Sequence, residues 1–199
     1  GVQTCALPIS SSTIPPLQSL LIVPSHCPTS LSSMRRIIAI SNQKGGVGKT
    51  TTAINLASAL ALMRRKVLLI DLDPQGNASS GLGVPKATAQ IGISDVLMDY
   101  MPAASAIHPI PRIPNLHLIP ATRELIGLTV ELINAHRREF RLKDALRKLD
   151  QSYDYILIDC PPALNQLTLN ALTAAHGVLV PLQAEYFALE GIGDLLQTI

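Results

Sequence analysis

The chain has 199 residues, of which 47% are hydrophobic, 15% charged and 3% aromatic, so it can bury the core of one domain. Its 16 Lys and Arg against 14 Asp and Glu give a net charge of +2, which excludes a strongly basic nucleic-acid coat and leaves only a local patch for binding a polyanion. No uncharged apolar run approaches the ~18 residues of a membrane span. Three cysteines are too few for a disulfide framework or a four-cysteine metal site. These features predict a soluble protein of a reducing compartment.

Residues 1–33 differ in composition from the rest of the chain. The first charged residue is Arg35, and the segment before it holds five of the 15 prolines, eight serines and two of the three cysteines. Such a segment cannot bury enough apolar surface to offset its ordering entropy, and it has no basic region ahead of an apolar one, as a secretory signal requires. Residues 1–9 also resemble the in-frame translation of a sequencing adapter. We therefore expect a non-native or disordered leader over residues 1–33 and a natural start at Met34.

From Met34 onward, short apolar runs alternate with helical patterns. Buried strands are predicted at residues 37–40, 67–70, 116–119, 156–158 and 178–180. A first helix is predicted after the glycines, ending at residues 64–66, and further helices are predicted at residues 94–98, 123–134, 138–149, 167–175 and from 189 to the end. The proline-rich stretch 102–114 is predicted to be irregular. This alternation predicts an α/β domain over residues 34–199, with a doubly wound, mostly parallel sheet flanked by helices. Because the last helix lacks a C-cap, we expect the domain to be incomplete at its C-terminus.

A glycine-rich turn joins the first strand to the first helix. Its backbone N–H groups can turn inward toward a phosphate, and the helix N-terminus adds the positive end of its dipole. Lys49 is placed to reach the β- and γ-phosphates and Thr50 to hold Mg²⁺, whereas Gln43 stands where the usual phosphate-loop pattern has its first glycine. The residues predicted to bind ATP are Gly45, Gly46, Val47, Gly48, Lys49, Thr50 and Thr51.

Lys44 places a second lysine on the same turn. One interpretation is a solvated loop lysine; the other is that Lys44 serves a phosphate bound by a facing subunit, since Lys49 already occupies its own subunit's cradle. Together, residues 44–50 resemble the deviant Walker A motif of the ParA/MinD family of ATPases. The resemblance implies a P-loop NTPase fold and a homodimer around ATP, in which Lys44 acts as a catalytic residue across the interface.

Three aspartates stand at the ends of two predicted strands. Asp71 and Asp73 follow the second strand and point to the same side of an extended chain, while Asp159 ends the fourth. The carboxyl ends of parallel strands meet at the edge where open α/β sheets bind their ligands. A turn aspartate that bonds its own backbone is the alternative for Asp71 and Asp73, and a helix cap is the alternative for Asp159.

Two of these segments carry the family resemblance further. Residues 71–77 are similar to the family's second signature, and residues 159–162 resemble its Walker B strand and the start of switch II. The resemblance implies that Asp73 orients the attacking water, that Asp71 helps to organise the Mg²⁺ shell, and that Asp159 contacts Mg²⁺ through water.

The likeness to ParA, especially to its chromosomal Soj-type members, extends over residues 34–199. It implies a Mg²⁺-dependent ATPase of chromosome or plasmid partition that dimerises with ATP, binds DNA non-specifically, is stimulated by a ParB-type partner and works on the nucleoid in the cytoplasm without a membrane. A MinD-like membrane-surface positioning ATPase and a metabolic P-loop ligase, such as an amide-forming one, are the alternatives. The basic residues between 137 and 148 are interpreted as a solvated surface rather than a phosphate-tracking patch.

Overall fold

The computed structural model describes residues 20–24, 35–85, 87, 89–150 and 152–182. The strands are β1 (Leu20–Pro24), β2 (Arg36–Ile40), β3 (Val67–Asp71), β4 (His108–Pro109), β5 (Leu116–Ile119), β6 (Tyr155–Asp159) and β7 (Gly177–Pro181). The α-helices are α1 (Lys49–Leu62), α2 (Asn77–Gly81), α3 (Ile93–Leu97), α4 (Leu128–Glu131), α5 (Arg141–Arg147) and α6 (Gln166–Ala174), and 3₁₀ turns span Ala103–Ala106, Arg123–Ile126 and Leu132–Asn134. None of the helices in these ranges has both the length and the apolar character to cross a membrane.

The strands form one sheet in the order β1-β7-β2-β6-β3-β5-β4. The five strands from β7 to β5 are parallel to one another, whereas β1 and β4 pair antiparallel at the two edges. All five residues of β3 are buried, which fits a strand covered on both faces. The predicted mostly parallel α/β sheet is confirmed.

Helices cover both faces of this sheet. Along β3, Leu68 and Ile70 belong to the apolar cluster that packs α3, α5 and α6, while Val67 and Leu69 belong to the cluster under α1. Alternation of side chains along a strand separates the two clusters. On α1 the buried apolar side is built from alanines four residues apart, which lets this helix lie close to the sheet: Ala53, Ala57 and Ala61.

Two predicted helices differ in the structure. The helix predicted at residues 123–134 is divided into two 3₁₀ turns and the single turn α4, with Gly127, a poor helix former, at the break. The helix predicted at residues 138–149 is shorter: Phe140 has a non-helical φ of −111° and ψ of 2°, so α5 begins at Arg141 and ends at Arg147. The helix predicted from residue 189 lies outside the described residues.

Two stretches predicted to be irregular contain regular structure. Leu20–Pro24 forms β1 along the outer edge of β7, where no strand was predicted. The rest of residues 1–33 lie outside the described ranges, and the non-native or disordered leader stays a prediction. Within residues 102–114 the chain forms a 3₁₀ turn and β4, which pairs with β5. Pro109 is tolerated there because β4 is an edge strand, where a missing N–H costs no ladder bond.

Candidate nucleotide-binding site

The candidate site lies at the carboxyl ends of β2, β6 and β3. In the pairing register Ile40 faces Asp159, and Asp159 faces Asp71 on the other side. The glycine-rich turn follows β2 directly and leads into Lys49, whose pKa is lowered by burial although the charges of Asp159 and Asp73 act against that shift. The fold therefore brings Lys49, Asp71, Asp73 and Asp159 to one edge, as predicted.

The glycine-rich turn has a backbone that only glycine adopts freely. Gly46 and Gly48 have φ values of 75° and 84°, in the left-handed region, and among the described residues no atom beyond their chain neighbours lies within 4 Å of where their Cβ atoms would stand. Val47 between them is buried, which fixes the turn against the core. The result is an open concave backbone at the first residue of α1, as a phosphate cradle requires.

Asn42, a residue that the sequence analysis did not single out, anchors the start of this turn. Its side-chain Nδ2 donates to the Pro181 carbonyl at 2.9 Å, and its Oδ1 accepts from the Lys44 N–H at 3.0 Å. The preceding Ser41 N–H donates to the carbonyl of Leu179 at 3.1 Å. These bonds tie the turn to the end of β7. The only signal in the sequence is an amide side chain two residues before Lys44.

Lys49 is a buried cation. Its side chain is 7% exposed, and Nζ donates to the Lys44 carbonyl at 3.1 Å. Burial lowers the pKa of Lys49, while the carboxylates of Asp159 and Asp73 oppose that shift. A buried ammonium group beside an open glycine turn provides a site for a phosphate. The predicted role of Lys44 across a subunit interface stays a prediction.

Asp71 is buried and bonded to its own chain. Its Oδ2 accepts from the backbone N–H of Ser79 at 2.7 Å and from the Ser79 hydroxyl at 2.6 Å, and its Oδ1 accepts from the Asp73 N–H at 3.3 Å. Burial raises the pKa of Asp71, and the bonds from Ser79 oppose that shift. The alternative of an aspartate that bonds a local turn is therefore present here, and a role in a Mg²⁺ shell stays a prediction.

Asp159, in the neighbouring strand, has the opposite surroundings. It is fully buried, and within the described part of the chain neither carboxylate oxygen accepts a backbone N–H, while the Thr50 hydroxyl lies beside it. Burial raises the pKa of Asp159 to about 7, an effect reinforced by Asp71 and Asp73 and opposed by the nearby Thr50 hydroxyl and by Lys49. A buried carboxylate that lacks backbone donors in the described residues and has a threonine hydroxyl beside it fits the contact with a cation that was predicted for it.

Asp73 is 8% exposed at the mouth of this edge. Its Oδ1 accepts from the Gln75 N–H and its carbonyl from the Gly76 N–H, both at 2.9 Å. The turn after β3 is thereby closed around Asp73, with Pro74 inside it. This geometry contains the backbone-bonded turn aspartate that was the alternative for Asp73, and its carboxylate remains within electrostatic reach of Lys49.

The basic residues between 137 and 148 are engaged locally. Arg137 bonds Asp144 through two nitrogens at 3.1 and 3.3 Å and lies 5.2 Å from the Phe140 ring centroid, and Arg138 donates to Glu139 at 2.7 Å. These side chains are one third to one half exposed. The arrangement agrees with a solvated surface.

Comparison with known proteins gives consistent matches over this fold. The AAA domain family matches residues 35–199. The chain is 56% identical over 168 residues to the chromosome partitioning protein ParA of Myxococcus xanthus, a match that covers 84% of this chain and 59% of that protein. It is 52% identical over 166 residues to the sporulation initiation inhibitor protein Soj of Bacillus subtilis, covering 83% of this chain and 65% of that protein.

A solved structure is also similar. Cobyrinic acid a,c-diamide synthase from Mycobacterium smegmatis, with bound ADP and magnesium, matches with a TM-score of 0.79 at 44% identity, over 83% of this chain and 67% of that one. The chain therefore spans less than two thirds of the length of the two partitioning proteins and about as much of the solved synthase.

Proposed function

Because this chain belongs to the AAA-domain family and, within it, to the ParA/Soj partitioning ATPases, we propose that it is part of an ATPase of chromosome or plasmid partition. In this proposal the whole protein binds and hydrolyses Mg²⁺·ATP. One observation carries it: a buried lysine ammonium at an open glycine turn lies beside the buried carboxylate of Asp159, which accepts no backbone N–H from the described residues.

The residues present fit both ATP and Mg²⁺. The open turn at Gly46 and Gly48 leaves room for phosphate oxygens against backbone N–H groups, and Lys49 supplies a positive charge. The Thr50 hydroxyl and the adjacent Asp159 carboxylate supply oxygen ligands of the kind that Mg²⁺ prefers at phosphates. When bound, Mg²⁺ neutralises charge that develops on the phosphates.

The residues of the candidate site then have distinct roles in the proposed reaction. The turn and Lys49 bind and orient the phosphate chain, and Asp73 orients the attacking water from the mouth of the site. Phosphoryl transfer depends mainly on positioning and charge stabilisation, so the closed turn around Asp73 has a direct consequence for rate. Slow hydrolysis without a stimulating partner belongs to this proposal.

Assembly forms the second half of the proposal. The protein forms a homodimer around ATP, in which Lys44 contacts the nucleotide held by the facing subunit. ATP selects the dimer because its phosphates supply contacts that separate subunits lack. The ATP dimer binds DNA non-specifically on the nucleoid in the cytoplasm, and a ParB-type partner stimulates hydrolysis and releases it.

Three variants of the full-length protein test this proposal. We expect Lys49→Ala to lose binding of a fluorescent ATP analogue, Lys44→Ala to keep much of that binding without forming the ATP dimer, and Asp73→Ala to hold the dimer without hydrolysis. Light scattering with ATP measures the dimer, and phosphate release measures the turnover. A Lys44→Ala dimer as stable as the parent's would refute the role of Lys44 across the interface.

The M. smegmatis structure carries the name of a diamide synthase, an enzyme of the same class as the amide-forming ligase alternative. The partitioning relatives are more similar in sequence, at 56% and 52% identity against 44%, and for that reason partition is the function proposed. ATP turnover that needs neither a dimer nor DNA, but depends on an added carboxylic acid and an amine donor, would favour the ligase. The described residues add nothing in favour of the membrane-surface alternative.

A further inference from the structure

The neighbouring carboxylates of Asp71 and Asp159 have opposite surroundings. They face each other in adjacent strands and both are fully buried. Asp71 accepts three hydrogen bonds from Ser79 and Asp73, two of them from backbone N–H groups, whereas Asp159 accepts no backbone N–H from the described residues and has the Thr50 hydroxyl beside it. The oxygens of Asp71 are thus used in hydrogen bonds within the protein, whereas those of Asp159 are available to a ligand. The two carboxylates therefore have different roles.

Ser79 donates two of the three hydrogen bonds that Asp71 accepts. Its hydroxyl donates to Asp71 Oδ2 at 2.6 Å and accepts the Ala121 N–H at 3.0 Å, so both of its hydrogen-bonding directions are used inside the protein. Ala121 follows the end of β5, and Thr122 beside it shares a 2.6 Å hydrogen bond with Ser94 of α3. The buried Ser79 hydroxyl thus connects the end of β3 to the segment after β5. Thr122, the residue after Ala121, extends this connection to α3.

The segment between these anchors contains Asp73. At the start of this segment the Asp71 carboxylate accepts the Asp73 N–H, and at its end the same carboxylate accepts the N–H of Ser79 in α2. Between them the turn is closed by the bonds of Asp73 to Gln75 and Gly76. A displacement of either anchor moves the Asp73 carboxylate relative to Lys49 and Asp159.

We propose that Ser79 is a positioning residue, which holds Asp71 as a structural anchor and thereby fixes Asp73 at the nucleotide site. In this arrangement Asp71 contributes no oxygen to Mg²⁺, and Asp159 alone of the two carries that contact. The inference rests on the proposed function, because it assigns Asp73 a part in hydrolysis. It also gives Asp71 a role different from the one that the family resemblance implies.

Steady-state kinetics of the full-length protein test the positioning role. We expect Ser79→Ala to lower kcat by about 10-fold or more and to change KM for Mg²⁺·ATP by less than about 3-fold, since misplacement of a catalytic group affects the transition state more than binding. Ser80→Ala is the matched control, because Ser80 is the next residue of the same helix and is exposed. A Ser79→Ala protein with the parent's kcat, or with a raised KM and unchanged kcat, would overturn the inference.

A magnesium titration tests the division between the two aspartates without relying on turnover. With a fluorescent ATP analogue, we expect Asp159→Asn to raise the half-saturating Mg²⁺ concentration by about 10-fold or more, and Asp71→Asn to shift it by less than about 3-fold while still lowering kcat. Equal shifts for the two variants would make Asp71 a cation contact and overturn the inference. A parent protein that fails to retain Mg²⁺·ATP would instead overturn the proposed function itself.

Discussion

Gly48 shows how a single residue determines the shape of the candidate site. It is the last residue before α1 and has a φ of 84°, a conformation that strains any residue with a Cβ. The space around its missing side chain is open, so the strain is in the backbone and not in packing.

We predict that Gly48→Ala lowers the free energy of unfolding by about 1–2 kcal/mol, because alanine is forced into the left-handed region. Urea denaturation of the full-length protein without nucleotide measures the change. Gly45→Ala is the control: Gly45 lies in the same turn, lacks a positive φ and also has open space around it, so its effect should stay within about 0.5 kcal/mol. Equal losses for the two variants would show that the φ of Gly48 is not the cause.

The site residues differ in how far the sequence could predict them. Lys49 and the three aspartates follow from their spacing after predicted strands, since the ends of parallel strands meet at one edge. Ser79 and Asn42 have no such spacing. Each acts through a bond to a segment far along the chain, Ala121 or Pro181, and such partners become visible only in the folded structure.

At the scale of elements, α3 packs against the end of β5 through a glycine. An alanine Cβ at Gly92 would stand 2.4 Å from the Pro120 carbonyl oxygen and 2.5 Å from Cγ2 of Thr122. The N–H of the next residue, Ile93, donates to that same carbonyl at 2.9 Å. The close approach of the two elements therefore depends on the absence of a side chain.

We predict that Gly92→Ala destabilises the protein by about 1–3 kcal/mol, because α3 must move away from β5 to relieve the contact. The midpoint of urea denaturation at constant slope measures the loss. Gly127→Ala serves as the comparison, since its φ is −86° and the nearest atom is 4.0 Å away, and its effect should stay within about 0.5 kcal/mol. An unchanged midpoint for Gly92→Ala would contradict the contact.

The elements that the sequence predicted well are those buried on both faces. The runs in β3 and β6 are almost fully apolar, which leaves little choice of structure. The structure of the segment from Arg123 to Asn134 was harder to predict. Its buried residues fit a continuous helix and a series of tight turns equally well: Leu125, Leu128 and Leu132. Two-residue β4 has no pattern of its own and exists through its pairing with β5.

For the molecule as a whole, the alternation of strand and helix was enough to predict the architecture. The two apolar clusters, one on each face, follow from strands whose odd and even positions are both apolar. The order of strands and the antiparallel edges were not predictable in the same way, because they depend on pairings between distant segments.

Stability of the whole molecule should depend on the protonation of His176. Its side-chain Nδ1 accepts the Ile37 N–H at 3.1 Å, and the backbone N–H of His176 donates to the Ile37 carbonyl at 2.8 Å. His176 therefore links the start of β7 to β2. Partial burial lowers the pKa of His176 from 6.5, and Arg35, Lys143 and Arg36 lower it further. The unfolded chain therefore takes up a proton at a higher pH than the folded chain does.

We predict that the parent loses stability as the pH falls from 6.5 toward the lower pKa of folded His176, and that His176→Asn loses less over that interval. Asparagine can still accept the Ile37 N–H but does not titrate. Urea midpoints measured in steps between pH 7.5 and about 5 compare the two proteins. His117, whose pKa burial also lowers, is present in both and cancels in the difference. Parallel profiles would contradict the assignment to His176.

One edge of the sheet ends in a strand of only two residues, and the second of them is Pro109. A proline offers no amide hydrogen to a neighbouring chain, and so short a strand gives an incoming segment little backbone to bind. Stacking of copies into fibres through exposed main-chain groups is therefore discouraged at the β4 margin.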